Sequence, residues 1–236
     1  MIATPIGNLE DASLRSLRVL KEASLIVAED TRTARKLLSR YDIHPPALLS
    51  FFEGNSRRRI PEIVGRLADG DVALISEAGT PAVSDPGADL VRAVAEAGYP
   101  VSPIPGPSAV AAALSVSGFS SDRFTFLGFL PRKPRERQAI LNQVAGQPWP
   151  IVLYESPYRV RACLEDLLGV LEDREVVVAR EMTKLHEEVF RGRVSEALER
   201  FASPRGEFTI VVAPAVRDRL TATRSNFSVR PELVEG

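Results

Sequence analysis

Short apolar runs alternate with amphipathic stretches along the first half of the chain. Residues 25–28 and 72–75 are continuous apolar tetrapeptides, a pattern typical of strands buried on both faces, whereas Leu14, Leu17 and Leu20 recur at helical spacing. The pattern predicts strands at 1–4, 25–28, 48–52, 72–75 and 99–104, and helices at 14–23, 33–41, 56–68, 89–97 and 109–116. This alternation predicts an α/β unit.

The second half repeats the alternation without repeating the sequence. It predicts strands at 124–129, 151–154, 175–179, 189–194 and 208–213, and helices at 135–145, 157–171 and 195–201. After Pro214 the apolar periodicity stops. We therefore predict two α/β domains, residues 1–117 and 118–214, followed by a tail, residues 215–236, that we expect to be disordered or loosely attached.

The amino-acid composition excludes several classes of functional site. The 236 residues include one cysteine and two histidines, which excludes an intramolecular disulfide, a cysteine-rich zinc module and chemistry that needs a histidine cluster. We expect no resident metal. No apolar run approaches the ~18 residues that span a bilayer, and the start lacks the pattern of a signal peptide. We expect a soluble, cytoplasmic protein with no membrane partner.

The formal net charge of −1 conceals local clusters of basic residues. Residues 123–137 contain five basic side chains and one acid, and residues 57–59 are three consecutive arginines. Such clusters suit a phosphate backbone, although a solvated helix face gives the same pattern. The candidate RNA-binding residues are Arg57, Arg58, Arg132, Lys133, Arg135 and Arg137.

Unusual residues cluster where the predicted strands end, which is the edge at which α/β sheets bind ligands. Six such clusters lie at residues 4–8, 29–32, 79–81, 105–108, 154–157 and 180–184. Gly79 and Gly106 would let backbone approach a ligand, and Ser108 would present polar groups at a helix start. No nucleotide-binding glycine motif follows the first strand, which disfavours an NTPase or an ordinary dinucleotide enzyme. Any one loop alone is more readily explained as an ordinary turn, and it is the six together that favour a shared site.

Seven segments resemble the RsmI family of ribosomal RNA small subunit methyltransferases. They are ATPIGNL at 3–9, AEDTR at 28–32, the loop at 76–87, IPGPSA at 104–109, FLGFLPRK at 126–133, YESP at 154–157 and AREMTK at 179–184. They occur in order and extend over residues 1 to about 213.

The resemblance implies a fold and a function. The implied fold is that of the tetrapyrrole methylases, with two α/β domains, a cofactor cleft between them and usually a homodimer. The implied reaction uses S-adenosyl-L-methionine to methylate the ribose 2′-oxygen of cytidine 1402 in bacterial 16S rRNA, so the expected partner is 16S rRNA or the small ribosomal subunit. The implied cofactor residues are Pro5, Ala78, Gly79, Thr80, Val83, Ser108, Ala109, Tyr154 and Met182.

The chain departs from the family pattern at several positions. Glu77 and Ala82 stand where Asp and Gly are usual, Tyr158 replaces a usual histidine, and residues 51–55 lack the histidines common in that segment. Family members normally carry several more residues before Ala3. We therefore expect the natural protein to begin upstream of Met1.

A ribose hydroxyl is a weak nucleophile, so a group should accept its proton or stabilise the alkoxide. The candidates at the strand ends are Glu29, Asp30, Glu155, Glu181 and Lys184. We hypothesise that Lys184, with a lowered pKa, and Glu155 form a pair beside the acceptor. The alternative is that Glu29, Glu155 and Glu181 pair with Arg32, Arg159 and Arg180 only to hold the loops.

Two other functions are compatible with the sequence. A tetrapyrrole or diphthine-type methyltransferase would share the fold, but the basic segment and the cluster at 29–32 favour RNA. A cofactor-binding assembly factor without catalysis would belong to a different class.

Overall fold

The computed structural model describes residues 1–215. The expectation for the tail therefore lies outside the described residues, except for Ala215, whose N–H donates to the Gln147 carbonyl at 3.0 Å. The elements are α1 (Leu14–Glu22), β1 (Leu25–Ala28), α2 (Thr31–Arg40), β2 (Leu48–Ser50), α3 (Ser56–Arg66), β3 (Val72–Ile75), α4 (Ala88–Glu96), α5 (Ala109–Ser115), β4 (Thr125–Phe129), α6 (Pro134–Val144), β5 (Ile151–Glu155), α7 (Val160–Leu171), β6 (Glu175–Arg180), β7 (Glu188–Arg193), α8 (Val194–Arg200) and β8 (Phe208–Val212). No helix in this part of the chain is both long and apolar enough to cross a membrane.

The first sheet is parallel, with the strand order β2-β1-β3. Ile26 and Val27 of the central strand are fully buried, although they point to opposite faces. Ile26 packs with Leu20 and Leu37 on one face, and Val27 packs with Ile63 and Leu90 on the other. Helices cover both faces, which explains why these strands are continuous apolar runs.

The amino-terminal segment adds to the edge of this sheet beside β3. The Ile2 N–H donates to the Leu74 carbonyl at 2.9 Å, and the Ile104 N–H donates to the Met1 carbonyl at 2.7 Å. The predicted strands at 1–4 and 99–104 are both wrong as continuous strands, because only the isolated bridges between Ile2 and Ile104 and between Thr4 and Gly79 form there. Pro100 and Pro103 lack the N–H groups that a longer ladder requires.

The second sheet is mixed, with the strand order β4-β5-β8-β6-β7. Strand β4 is parallel to β5, whereas β8 runs antiparallel to both β5 and β6. Strands β4, β5 and β6 therefore share one direction, and their carboxyl ends lie at the same edge. The amino end of β8 lies at that edge too. Helices α6, α7 and α8 bury one face of the sheet through Leu141, Leu164, Leu167, Val194 and Ala197.

Helix α5 covers the other face of the second sheet. Its buried Val110, Ala113 and Leu114 pack against Val152 and Val211 of the strands. The predicted domain boundary at 117/118 thus follows a helix whose apolar side chains contact the second sheet. Through α5 the chain connects the two sheets, and a cleft opens between their carboxyl edges.

Candidate active site

A cleft of about 500 Å³ lies between the two sheets, a size typical of small-molecule sites. The first unit contributes Glu29 at the end of β1 and the loop after β3. The second contributes the ends of β4, β5 and β6 and the start of β8. The wall is formed by Ile6, Glu29, Glu77, Ala78, Gly79, Thr80, Val83, Ser84, Asp85, Ser108, Ala109, Phe129, Tyr154, Glu155, Ser156, Pro157, Ala179, Met182, Glu207, Phe208 and Thr209.

Nearly all residues that the resemblance assigns to the cofactor line this cleft. They are Ala78, Gly79, Thr80, Val83, Ser108, Ala109, Tyr154 and Met182. Pro5 lines an adjoining cavity of about 410 Å³, while its neighbour Ile6 lines both. The first loop therefore reaches the cleft through Ile6.

Three loops of the first unit hold one another in place beside the cleft. Thr4 and Gly79 exchange two backbone hydrogen bonds, of 2.8 and 3.0 Å, and the Thr80 hydroxyl donates to the Pro107 carbonyl at 3.4 Å. Gly79 has a φ of +79°, which favours glycine. A Cβ on Gly106 would lie 3.1 Å from the Cβ of Ala3. Glycine is thus favoured at position 79 by the backbone conformation and at position 106 by the close approach of Ala3.

The loop after β3 also contains a strained position. Ala82 has a φ of +67°, in the left-handed region where a side chain costs roughly 1–2 kcal/mol. The resemblance implies glycine at this position, and alanine there has an energetic cost.

Five carboxylates line the cleft, and three of them interact with one another: Glu29, Glu77 and Asp85. Burial raises the pKa of Glu29, and the negative charges of Asp85 and Glu77 raise it further. Burial, with a smaller contribution from Glu77, also raises the pKa of Asp85. Glu29 is therefore a stronger base than a solvated glutamate.

Asp30, the neighbour of Glu29, has a different role. Its carboxylate accepts hydrogen bonds from the Arg32 backbone N–H and from Arg32 Nη2, both at 2.7 Å, and thereby caps α2. The hydrogen bonds from Arg32 lower the pKa of Asp30 to about 2. Arg32 thus pairs with Asp30 rather than with Glu29, and Asp30 does not line the cleft.

Glu155 is held by its neighbours. Its side chain is 0% exposed, Arg159 Nη2 lies 3.2 Å from Oε2, and the Ser156 N–H donates to Oε1 at 2.8 Å. Arg159 Nη2 also donates to the carbonyls of Leu130 and Pro131. The expected loop-holding pair with Arg159 is therefore formed. Within the described residues, Oε2 accepts no hydrogen bond of good geometry and is left as a buried acceptor at the cleft wall.

The hypothesised pair of Lys184 with Glu155 is not formed. Lys184 Nζ instead lies 3.0 Å from Glu181 Oε1 and 2.6 Å from Glu207 Oε2, in the adjoining cavity. Burial alone would lower the pKa of Lys184, but hydrogen bonds to Glu207 and Glu181 raise it. The expectation of a lowered pKa is therefore wrong, because two carboxylates stabilise the ammonium form.

Glu181 belongs to the same ion-pair cluster. Its Oε1 accepts hydrogen bonds from Lys184 Nζ and from the Glu207 N–H. Burial alone would raise the pKa of Glu181, but these hydrogen bonds and the nearby positive charges lower it. Arg180 pairs with Glu188 at 3.2 Å rather than with Glu181.

The basic candidates divide into exposed and buried residues. Arg132 and Arg135 are exposed just after β4, and Arg57 and Arg58 are exposed at the start of α3; Lys133 is exposed and pairs with Glu136 at 2.8 Å. The expectation that Arg137 contacts RNA is corrected. Its side chain is 6% exposed and forms an ion pair with Asp166 of α7, so it is not presented to a phosphate.

Sequence reasoning missed several lining residues, notably Asp85, Phe129, Glu207, Phe208 and Thr209. The last three lie at or next to the amino end of β8. None of the three follows the carboxyl end of a predicted strand, because β8 reaches the cleft edge only by running antiparallel to its neighbours. Asp85 and Phe129 lie within the segments that carry the resemblance, which was the available signal.

Comparisons with known proteins agree with this architecture. The sequence model of the family described as Tetrapyrrole (Corrin/Porphyrin) Methylases matches residues 1–198. The solved structure of the methyltransferase CobJ superposes with a TM-score of 0.69 at 20% identity, covering 93% of this chain and 95% of that one. Cobalt precorrin-4 methyltransferase CbiF gives 0.66 at 17% identity, covering 90% and 93%. The fold is that of the tetrapyrrole methylases, as expected.

Curated relatives define the family more narrowly. Ribosomal RNA small subunit methyltransferase I of Thermotoga maritima is 49% identical over 216 residues, which cover 90% of this chain and 96% of that protein. The protein of the same name from Synechocystis is 44% identical over 238 residues, covering 99% and 84%. The chain belongs to the ribosomal RNA small subunit methyltransferase I family. The predicted family and fold class are confirmed.

Proposed function

We propose that this protein transfers a methyl group from S-adenosyl-L-methionine to the ribose 2′-oxygen of cytidine 1402 in 16S rRNA. The observation that carries the proposal is the cleft between the sheets. It is lined by nearly every residue that the resemblance assigns to the cofactor. Family membership supports ribosomal RNA as the acceptor, because the relatives are named for that substrate.

The cleft fits a cofactor that is partly apolar and partly polar. Ile6, Val83 and Met182 provide apolar wall, and Thr80 and Ser108 provide hydroxyls. Glu155 Oε2 lies 3.2 Å from Arg159 Nη2 but accepts no hydrogen bond of good geometry within the described residues, so it can still accept one from a donor of the ligand. When bound, S-adenosyl-L-methionine supplies an electrophilic methyl group.

We assign the proton acceptor to Glu29. It lines the cleft, and its raised pKa improves its strength as a base. The other candidates are already engaged: Asp30 caps a helix, Glu155 pairs with Arg159, and Lys184 pairs with two carboxylates, one of which is Glu181. In this assignment, Glu29 accepts the proton of the ribose hydroxyl while the loops align the acceptor with the methyl group.

RNA contact is assigned to exposed cations near the cleft. Arg132, Lys133 and Arg135 follow Phe129, which itself lines the cleft, and Arg57 and Arg58 begin α3. These side chains would bind phosphates and set the position of the strand without reading its sequence.

The test is to incubate the protein with methyl-labelled S-adenosyl-L-methionine and small ribosomal subunits that lack the modification. We expect label at the 2′-oxygen of cytidine 1402. Label in tetrapyrroles or in protein would instead support the alternative methyltransferases, and binding without transfer would support the assembly factor.

A homodimer and a cytoplasmic location are further parts of the proposal. Leu14, Tyr158 and Leu185 are apolar or aromatic side chains left almost fully exposed in the single chain, and burial against a second copy would stabilise them. Size-exclusion chromatography with light scattering should give twice the mass of the chain. A monomer at micromolar concentration would contradict the dimer.

A further inference from the structure

A groove leads away from the cleft past the proposed base. A cavity of about 610 Å³ shares Glu29, Ser84 and Asp85 with the cleft and extends over Phe52. A second cavity, also of about 610 Å³, shares Glu53 and Ser56 with the first and ends at Arg57 and Arg58. We call these two adjoining cavities the Phe52 groove.

Phe52 is an exposed aromatic ring on a rigid loop. Its residue is 46% exposed, whereas the preceding Phe51 is buried in the core. Asn55 Oδ1 accepts the Phe52 N–H at 2.9 Å, and Asn55 Nδ2 donates to the Ser50 carbonyl at 3.2 Å. The ring lies over Gly54, where a Cβ would come within 2.8 Å of Phe52 Cε2. The loop thus holds a flat apolar surface in place before any ligand arrives.

Charge divides the groove into two ends. At the cleft the wall is acidic, with Glu29 and Asp85, and Glu53 lies where the two cavities meet. The acidic wall repels phosphate but accepts hydrogen bonds from amino and hydroxyl groups. At the outer end, Arg57 and Arg58 are exposed and form no ion pair within residues 1–215. A nucleotide has the matching pattern, because its base and ribose carry donors and its phosphate is anionic.

We propose that the Phe52 groove binds the acceptor nucleotide of the RNA in an unstacked conformation, with its base on the Phe52 ring and a neighbouring phosphate at Arg57 and Arg58. The ribose then lies at the shared wall, next to Glu29. An exocyclic amino group, as in cytosine, donates to the acidic wall. Enzymes that do chemistry on a base take that nucleotide out of the stack, and the position of Phe52 beside the cleft carries the same arrangement to a ribose acceptor. The inference rests on the proposed function and deepens it.

The test compares Phe52→Ala, Phe52→Tyr and Phe124→Ala. Phe124 is a matched control, because it is 44% exposed and precedes β4 at the edge opposite the cleft. Each variant is assayed for single-turnover methylation of small subunits that lack the modification and for binding of those subunits. Calorimetric binding of S-adenosyl-L-methionine checks that each variant is folded.

Removal of one base-aromatic stack should reduce the methylation efficiency of Phe52→Ala about 5- to 150-fold. Phe52→Tyr, which keeps a stacking face, should remain within about twofold of wild type, and Phe124→Ala should be unchanged. A pyrrolocytidine placed at the acceptor position of an RNA fragment should gain fluorescence on binding wild type, because it leaves the stack of neighbouring bases, and should gain less on binding Phe52→Ala.

Three results would overturn the inference while leaving the proposed function intact. They are wild-type methylation by Phe52→Ala, failure of Phe52→Tyr to restore it, and a change of oligomeric mass in Phe52→Ala, which would assign the ring to a contact between copies. Absence of RNA methylation by the wild-type protein would instead overturn the proposed function itself.

Discussion

At the scale of single residues, the surroundings of each ionisable group separate the proposed proton acceptor from its neighbours. Glu29 and Asp30 are adjacent in sequence, yet burial and like charge raise the pKa of Glu29 while Arg32 lowers that of Asp30. Two carboxylates raise the pKa of Lys184. The ionisable groups that hold loops each contact a group of opposite charge. Glu29 contacts no positively charged group among its described neighbours.

The assignment of Glu29 predicts a pH dependence. The base must be ionised, so the single-turnover rate should rise with pH through the raised pKa of Glu29. Asp85→Asn removes a negative charge that raises this pKa, so the acidic limb should move to lower pH. Glu29→Gln should lower the rate about 10²- to 10⁴-fold while cofactor affinity is kept.

Asp71→Asn is the control for this prediction, because Asp71 precedes β3 at the opposite edge of the sheet. Its pH profile should match wild type. A limb that stays in place in Asp85→Asn, or a Glu29→Gln variant of normal rate, would contradict the assignment.

The buried ion pair between Arg137 and Asp166 predicts that substitution of Arg137 lowers stability and does not weaken RNA binding directly. Removing one member of a buried ion pair leaves the other charge uncompensated, so Arg137→Met should lower the free energy of unfolding by about 3–5 kcal/mol. The double variant Arg137→Met with Asp166→Leu should recover much of this stability. Exposed Arg132→Met should change stability by no more than about 0.5 kcal/mol. Urea denaturation measures all three, and a single variant as stable as wild type would show that the pair is dispensable.

At the scale of elements, strand direction decides which loops meet. Strands β5 and β6 are parallel only because β8 lies antiparallel between them. Their carboxyl ends therefore carry Tyr154 and Met182 to one wall, and the start of β8 carries Phe208 there as well. The loops of the first unit, tied to one another by backbone hydrogen bonds, complete the site from the other side.

The conformation of the loop after β3 predicts an effect on cofactor binding. Gly79→Ala places a Cβ at a φ of +79°, at a cost of roughly 1–2 kcal/mol, and 3.5 Å from Ile6 Cγ2 in the cleft. We expect a lower free energy of unfolding. We also expect the dissociation constant of S-adenosyl-L-methionine, measured by calorimetry, to rise about tenfold or more.

Gly65→Ala is the matched control, because Gly65 lies in helix α3 and a Cβ there meets nothing within 4 Å. It should leave cofactor binding unchanged and raise stability by about 0.5–1 kcal/mol. If both alanines had the same effect, the strained backbone at Gly79 would not be the cause.

At the scale of the whole molecule, a chain of nearly balanced charge presents cations where the substrate is expected. Arg132 and Arg135 are exposed beyond the end of β4, on the edge that contains the cleft, and acidic side chains line the cleft itself. Attraction for phosphates is thus separated from the surface that would bind the nucleoside.

This separation predicts how salt affects binding. Neutralising Arg132 and Arg135 to glutamine should weaken binding of small subunits and reduce the slope of log K against log salt by roughly 0.7–0.9 for each phosphate that the protein no longer neutralises. Cofactor affinity should not change. Arg18→Gln, which removes an ion-paired arginine of α1, should leave the slope unaltered. A slope unchanged in the double variant would show that these arginines do not bind phosphate.

The amino-acid sequence by itself determined most of the elements, and its family resemblance named many of the residues that line the cleft. Apolar runs such as residues 25–28 must be buried on both faces, and glycine at 79 suits a loop of positive φ, so local patterns were sufficient there. The prolines at 100 and 103 also carried the information that the 99–104 segment could not form a full strand.

Only the tertiary structure decided which charges meet. Arg137 finds Asp166, 29 residues away, and Lys184 finds Glu207, 23 residues away. No local pattern specifies such partners, because they depend on the order and direction of the strands between them. The same folding placed α5 on the second sheet, brought β8 to the cleft and placed Glu29 in the cleft beside the like charges of Asp85 and Glu77.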